Sequence, residues 1–256
     1  MIRTLFLLST AFFMAPLATA VAPRFQAIAF DGFPIFDPRP VARQAEAYWP
    51  GRGEAFMAAW RTRQFDYQWL RALAGQYADF NRATADALDF AARQTQTPMT
   101  PEQRTRLLEL HATLPVWPEV PETLRALRKS GLRLVLLSNM TEATLTAGLK
   151  RAGLEGEFEA VLSTDTLRTY KPDPKAYQMA ADRLGLDKAD ILFAAHAGWD
   201  AAGAKWFGYP VFWVNRLGAP PEALGPAPDG MGPDLRALAR FVGVQAPAPP
   251  QPEPPR

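Results

Sequence analysis

The 256-residue chain contains no cysteine. Disulfides, thiolate metal sites and a cysteine nucleophile are therefore excluded. Histidine is nearly as scarce, with His111 and His196 alone, which leaves few ways to build a histidine metal or base site. An excess of one charge is also missing. The 28 basic and 26 acidic residues leave a net +2 with no long run of either sign, so no nucleic-acid surface is expected. What the chain does have is 48% hydrophobic and 21% charged residues, a globular balance. Its length suits one large domain, or a core with a smaller insert, at roughly 100–200 residues per domain. Either can bury a core without covalent staples.

The first twenty residues read as an address. A short basic start at Arg3 precedes the apolar stretch Leu5–Met14, then the helix breaker Pro16 and the small residues Ala18-Thr19-Ala20. That order is the pattern of a secretory signal peptide, with cleavage expected after Ala20. An uncleaved anchor is the alternative, but the apolar run is interrupted and short of the ~20 residues of a bilayer span. The mature protein is expected in the periplasm or outside the cell.

Apolar runs bounded by polar residues predict buried strands at Phe25–Phe30, Leu132–Leu137, Ile191–Ala195 and Val211–Val214. Helical patterns at Pro121–Lys129, Thr141–Ala152, Pro174–Leu184 and Ala201–Phe207 alternate with them, each closed by a glycine. This alternation predicts an α/β fold, a doubly wound parallel sheet with right-handed crossovers. Ligands in such sheets sit at the carboxyl ends of the strands, where Asp31, Ser138-Asn139 and His196 fall. From about Val41 to Leu114 the text is helix after helix, with Trp60, Phe65, Trp69, Leu73 and Tyr77, then Leu88 and Phe90, at helical spacing; most of these aromatics are expected to be core. A short helix is expected at Leu235–Val242, followed by a Pro-rich extended tail.

Five segments now fall into one order: FDGFPIFDP at 30–38, PGRG at 50–53, LLSN at 136–139, YKPDPKAY at 170–177 and WDAAGA at 199–204. Together they resemble the haloacid dehalogenase superfamily, and within it the L-2-haloacid dehalogenases (type II), over about residues 26–242. The resemblance implies a Rossmann-like core at 21–40 and 115–243, an inserted helical cap at 41–114 and a tail at 244–256.

It also implies roles. Asp31 resembles the nucleophile: a carboxylate displaces halide from saturated carbon, and water then hydrolyses the ester. Asp-Gly is also a common turn pair. Phe33 stands where the phosphatases of the superfamily carry a second Asp; an aromatic cannot transfer that proton but can line an apolar site. Those phosphatases need an acidic Mg2+ shell, whereas the late motif here has one acid, Asp200. Arg52 resembles the arginine that binds substrate and receives halide. Ser138 and Asn139 resemble a carboxylate cradle, or are a turn and cap. Lys171 resembles the lysine that keeps the nucleophile ionised. Tyr177 looks like its support, orienting Lys171 or Asp200. Asp200 resembles the partner of Lys171 that positions water, and an N-cap role is compatible with this. Trp199 is expected as an apolar wall; Trp69 is either a wall or core.

Three departures stand out. Ile35 replaces a threonine, and Ala195 and Ala197 replace a serine and an asparagine. His196 either supplies a substitute base or is a buried structural residue. The resemblance implies no metal and no organic cofactor, a small haloacid as the molecule bound, and a homodimer; neither nucleic acid nor a lasting membrane attachment is expected. The reading is a hydrolase converting short (S)-2-haloalkanoic acids to (R)-2-hydroxy acids and halide. Alternatives are a related hydrolase with a shifted substrate, with phosphatase disfavoured, or a non-catalytic periplasmic homologue.

Overall fold

A computed structural model describes residues 25–245. The expected signal peptide and most of the Pro-rich tail lie outside the described residues. Six parallel strands form one sheet in the order β3-β2-β1-β4-β5-β6. They are β1 (Ala27–Phe30), β2 (Arg133–Ser138), β3 (Ala160–Ser163), β4 (Ile191–Ala195), β5 (Val211–Val214) and β6 (Gly230–Gly232). The chain leaves β1 for β2 on one side and reaches β4 on the other. The carboxyl end of β1 is therefore the topological switch point where a doubly wound sheet opens its crevice.

Strand alternation divides the apolar residues between two layers. Ile28, Phe30, Leu134 and Leu136 face one core, while Ala27, Ala29, Val135, Leu137 and Phe193 face the other. The second face is covered by α7 (Pro174–Leu184) and α8 (Gly198–Phe207), whose ends are set by Gly185 and Gly208 in the left-handed region. The first face packs under α5 (Val120–Lys129), α6 (Glu142–Arg151) and α9 (Leu235–Phe241).

Between β1 and β2 come four helices: α1 (Arg39–Tyr48), α2 (Gly53–Leu73), α3 (Phe80–Gln94) and α4 (Pro101–Ala112). Asp79 caps α3, and Thr100 with Gln103 forms a capping box at α4. Trp60, Phe56, Phe80, Leu88 and Leu107 are buried among these helices. None of the helices among the described residues is long and apolar enough to cross a membrane.

Two strands were not expected. β3 is a short, half-buried edge strand without a clear apolar run. β6 is Gly-Met-Gly, with no side-chain pattern to read. Its glycines have a steric cause, because a Cβ on Gly230 would lie 2.8 Å from Phe212 and 2.7 Å from Phe241.

The helical layer also holds an acid-sensitive group. His111 of α4 sits with its ring 5.6 Å from Trp60 and 5.8 Å from Phe80. Burial pushes its pKa down to about 4. An unfolded histidine takes up a proton near ~6.5 that the folded one refuses, so stability drops as pH falls between those values. Urea midpoints are expected to fall on acidification in this window, and to fall less in His111→Leu. Equal slopes for the two proteins would remove His111 from the account.

Candidate active site

Asp31 follows β1 directly, and its N–H donates to the Ala194 carbonyl of β4 at 3.0 Å. The strands thereby bring the β4 tip, with His196 and the start of α8, alongside the carboxylate. Lys171 reaches the same point from the loop before α7. Its ammonium donates to Asp31 Oδ1 at 2.7 Å and to Asp200 Oδ2 at 2.8 Å. Lys171 and Asp200 are each 1% exposed, and Asp31 8%.

Three buried charges in this order are mutually dependent. Desolvation penalises each, and only the ion pairing offsets it. Burial alone would raise the Asp31 pKa. The Lys171 charge and hydrogen bond, His196 and the Phe33 N–H outweigh it and hold the carboxyl below its ordinary value. At Asp200 burial wins: despite Lys171, and with the Asp31 charge adding to it, the pKa is pushed up to about 6. Burial opposes the Lys171 charge, but the two carboxylates raise its pKa above the usual lysine value. At neutral pH the cluster is an anion–cation–anion row with one net negative charge.

Ile35, at the place of the family's threonine, is fully buried in the core, and the second oxygen of Asp31 accepts the Phe33 N–H at 3.2 Å. Asp200 lies in the first turn of α8, three residues after the N-cap residue Ala197, so the expected capping role does not hold. Tyr177 stands behind Asp200, donating its hydroxyl to Oδ1 at 2.7 Å. It supports the acid and is not among the residues lining the cavity.

That cavity lies over the strand tips and measures about 30 Å³, space for about two waters. Asp31, Phe33, Ser138, Asn139, His196, Trp199 and Asp200 border it, as do Ala197, Phe65 and Phe80. Ser138 Oγ accepts the Met140 N–H at 3.2 Å. His196 packs on Phe33 with ring centroids 5.6 Å apart. Its Nδ1 is buried and has no hydrogen-bond partner. Burial lowers its pKa to about 4, with Arg216, Arg61 and Lys171 contributing and Asp31 opposing. The imidazole is neutral at pH 7.

Arg52 is not part of this group. As the residue before α2 it is exposed, and its guanidinium donates to the backbone carbonyls of Thr95 and of Gln96, the latter at 2.8 Å. Its segment turns toward the far end of α3, so the side chain is used to tie helix ends together. Arg61, two turns further along α2, is exposed as well, but its charge is felt at the cavity residue His196. Arg61 has no ion pair among the described residues. With Phe65 and Gln68 it occupies positions i, i+4 and i+7 of α2, one helical face. That spacing was visible in the sequence. Trp69 is not a wall either: its indole N–H donates to the Lys171 carbonyl at 2.9 Å.

Among the described residues, no three His, Asp or Glu side chains converge as a metal-binding group. Between the two carboxylates, where a cation would sit, the lysine ammonium is already present.

A carboxylate row at the switch point of a parallel sheet, under inserted helices, defines a capped α/β enzyme. The model of the haloacid dehalogenase-like hydrolases matches residues 7–208. Haloacetate dehalogenase H-2 of Moraxella sp. (strain B) is 39% identical over 222 residues, covering 86% of this chain and 99% of that protein. The solved L-2-haloacid dehalogenase RSc1362 is 43% identical with a TM-score of 0.83, over 86% of this chain and 99% of its own. The L-2-haloacid dehalogenase of Xanthobacter autotrophicus with chloropropionic acid covalently bound is 32% identical, TM-score 0.77, over 86% and 98%. The chain belongs to the haloacid dehalogenase-like hydrolases.

One glycine guards the cluster from behind. A Cβ at Gly203 would lie 2.5 Å from the Tyr177 hydroxyl and 2.8 Å from Pro172. Gly203→Ala is expected to cost about 1–3 kcal/mol in urea unfolding, the usual range for overpacking. A wild-type unfolding free energy would contradict this packing.

Proposed function

We propose that the protein is a hydrolytic dehalogenase of short (S)-2-haloalkanoic acids. The observation that carries this reading is the Asp31–Lys171–Asp200 row at the floor of a small, aromatic-lined cavity. An Asp31 oxygen attacks C2 of the acid from the side opposite the halogen. The carbon–halogen bond breaks, halide leaves, and an aspartyl ester with inverted C2 remains. Water then adds to the ester carbonyl carbon. The bond from that carbon to the substrate oxygen breaks, releasing the (R)-2-hydroxy acid and a proton and returning Asp31 with one oxygen from water. Lys171 stabilises the negative charge in both steps. Phe33 in place of an acid, and an ammonium between the carboxylates, favour this reaction over phosphoryl transfer.

The substrate is itself an anion entering a cluster that is already net negative. A cation at the cavity mouth must offset this, and Lys171 is committed to Asp31 and Asp200. We assign this part to Arg61, an exposed arginine of α2 whose charge is felt at His196 on the cavity wall. Phe33, Phe65, Phe80 and Trp199 leave room for a short chain only. We also assign residues 1–20 as an export leader, with the mature chain beginning at Val21 in the periplasm or outside the cell. N-terminal sequencing of a periplasmic fraction tests this, and an intact Met1 terminus in the cytoplasm would contradict it.

Chloride release from L-2-chloropropionate, with EDTA present and the D-enantiomer as control, tests the reaction. Enantioselective release is expected, and it should vanish in Asp31→Asn. Release of phosphate from phosphate esters in its place would sink the reading. Arg61→Ala should lower kcat/KM about 10- to 100-fold, the size of a lost charged hydrogen bond. Arg52→Ala should leave it near wild type. The reverse order would restore Arg52 to the site.

A further inference from the structure

The ammonium of Lys171 is held by the core, but its backbone is tied to the cap as well, directly through its carbonyl and through Asn139 of the core at its N–H. The two cap residues involved, Gln68 and Trp69, are consecutive in α2. The Lys171 carbonyl accepts the Trp69 indole N–H at 2.9 Å. The Lys171 N–H donates to Asn139 Oδ1 at 2.9 Å, and Asn139 Nδ2 donates to Gln68 Oε1 at 3.2 Å. The direction of this relay follows from its last member. A backbone N–H only donates, so Asn139 turns its oxygen to Lys171 and its NH2 to Gln68, and Gln68 must answer with its oxygen. Thr164 strengthens the same orientation by donating to Asn139 Oδ1 at 3.3 Å. Gln68 is fully buried. Trp69 is fixed by ring contacts to Phe65 at 5.6 Å and Trp199 at 5.2 Å.

We propose that Gln68 and Trp69 are positioning residues: Trp69 holds the Lys171 carbonyl directly and Gln68 holds the Asn139 that accepts its N–H, and together they bring the ammonium to Asp31 only when α2 is docked on the core. The inference rests on the reading that Lys171 activates Asp31. A lysine side chain has four rotatable bonds, so the ammonium goes where its backbone and its partners together allow. Lys171, Asp200, His196 and Tyr177, the ionisable groups that act on Asp31 or share its charge, all belong to the core. From α2, Arg61 acts on His196. The cap thus reaches the nucleophile through the lysine backbone, and nucleophile activation is coupled to cap closure. If the grip loosens, Asp31 loses the cation that stabilises its charge and takes up a proton at higher pH.

Trp69→Phe keeps an aromatic ring in place and deletes the N–H. Gln68→Leu keeps most of the volume and deletes the acceptor. Full-length protein labelled with [4-13C]aspartate, with Asp31 assigned through Asp31→Asn, reports the Asp31 titration by NMR without substrate. In both variants that titration is expected to move to higher pH while Tm stays within a few degrees. For L-2-chloropropionate, kcat should fall about 10-fold in each, as for one lost hydrogen bond, with KM little changed. The acid limb of kcat should move upward with the titration. An Asp31 titration unchanged in both folded variants overturns the proposal. A raised KM with intact kcat does so too, because it would make α2 a substrate-binding element. If the wild type releases no chloride, the proposed reaction fails, and the substrate-free titration still decides this inference.

Discussion

A single ammonium between two buried carboxylates is the interaction on which the rest of this structure depends. Without Lys171, Asp31 and Asp200 would be two like charges in a nearly dry pocket, and burial would favour their neutral forms. With it, both ionise, and one of them stays below its usual pKa while the other is pushed up to about 6. Removing one member of such a buried cluster typically costs about 3–5 kcal/mol because the remaining charges lose their partner. In the proposed reaction the same contact keeps Asp31 ionised for attack, so the stability of the site and its chemistry would come from one contact.

Everything around the row serves its placement. The parallel sheet puts Asp31, Asn139 and the start of α8 at three adjacent strand tips. Tyr177 holds Asp200 from behind, and the Tyr177 carbonyl in turn accepts the Tyr209 hydroxyl at 2.7 Å. The loop after Asp31 is fastened by its carbonyls: Phe33 to the Trp117 indole at 3.0 Å, and Pro34 to Arg216 at 2.7 Å. Arg216 is paired with Glu119 at 2.7 Å, away from solvent. These bonds hold the loop that carries Phe33, whose ring packs on His196.

Much of this was legible in the sequence, for stated physical reasons. Apolar runs ending in polar residues located β4 and β5 to the residue and β2 to within one, because buried parallel strands have little freedom in composition. The tips Asp31, Ser138, Asn139 and His196 followed from those strands, and the resemblance added Lys171 and Asp200. Arg52 misled because a motif names a neighbourhood, while the face a helix turns inward is decided by docking. The period of α2 already set Arg61, Phe65 and Gln68 on one face. Trp69 looked like packing because its hydrogen bond spans 102 residues of sequence separation. β3 and β6 were invisible, being short edge strands whose pairing is made by backbone alone.

The most direct test of the central claim is a single turnover of L-2-chloropropionate in H2(18)O with enzyme in excess. If Asp31 attacks carbon, the hydroxy acid formed in the first turnover carries no solvent label, and mass analysis of the peptide holding Asp31 finds the label in its carboxyl. Label in the first-turnover product, with an unlabelled Asp31, would mean that water attacks the carbon directly and that the Lys171-held carboxylate is not the nucleophile.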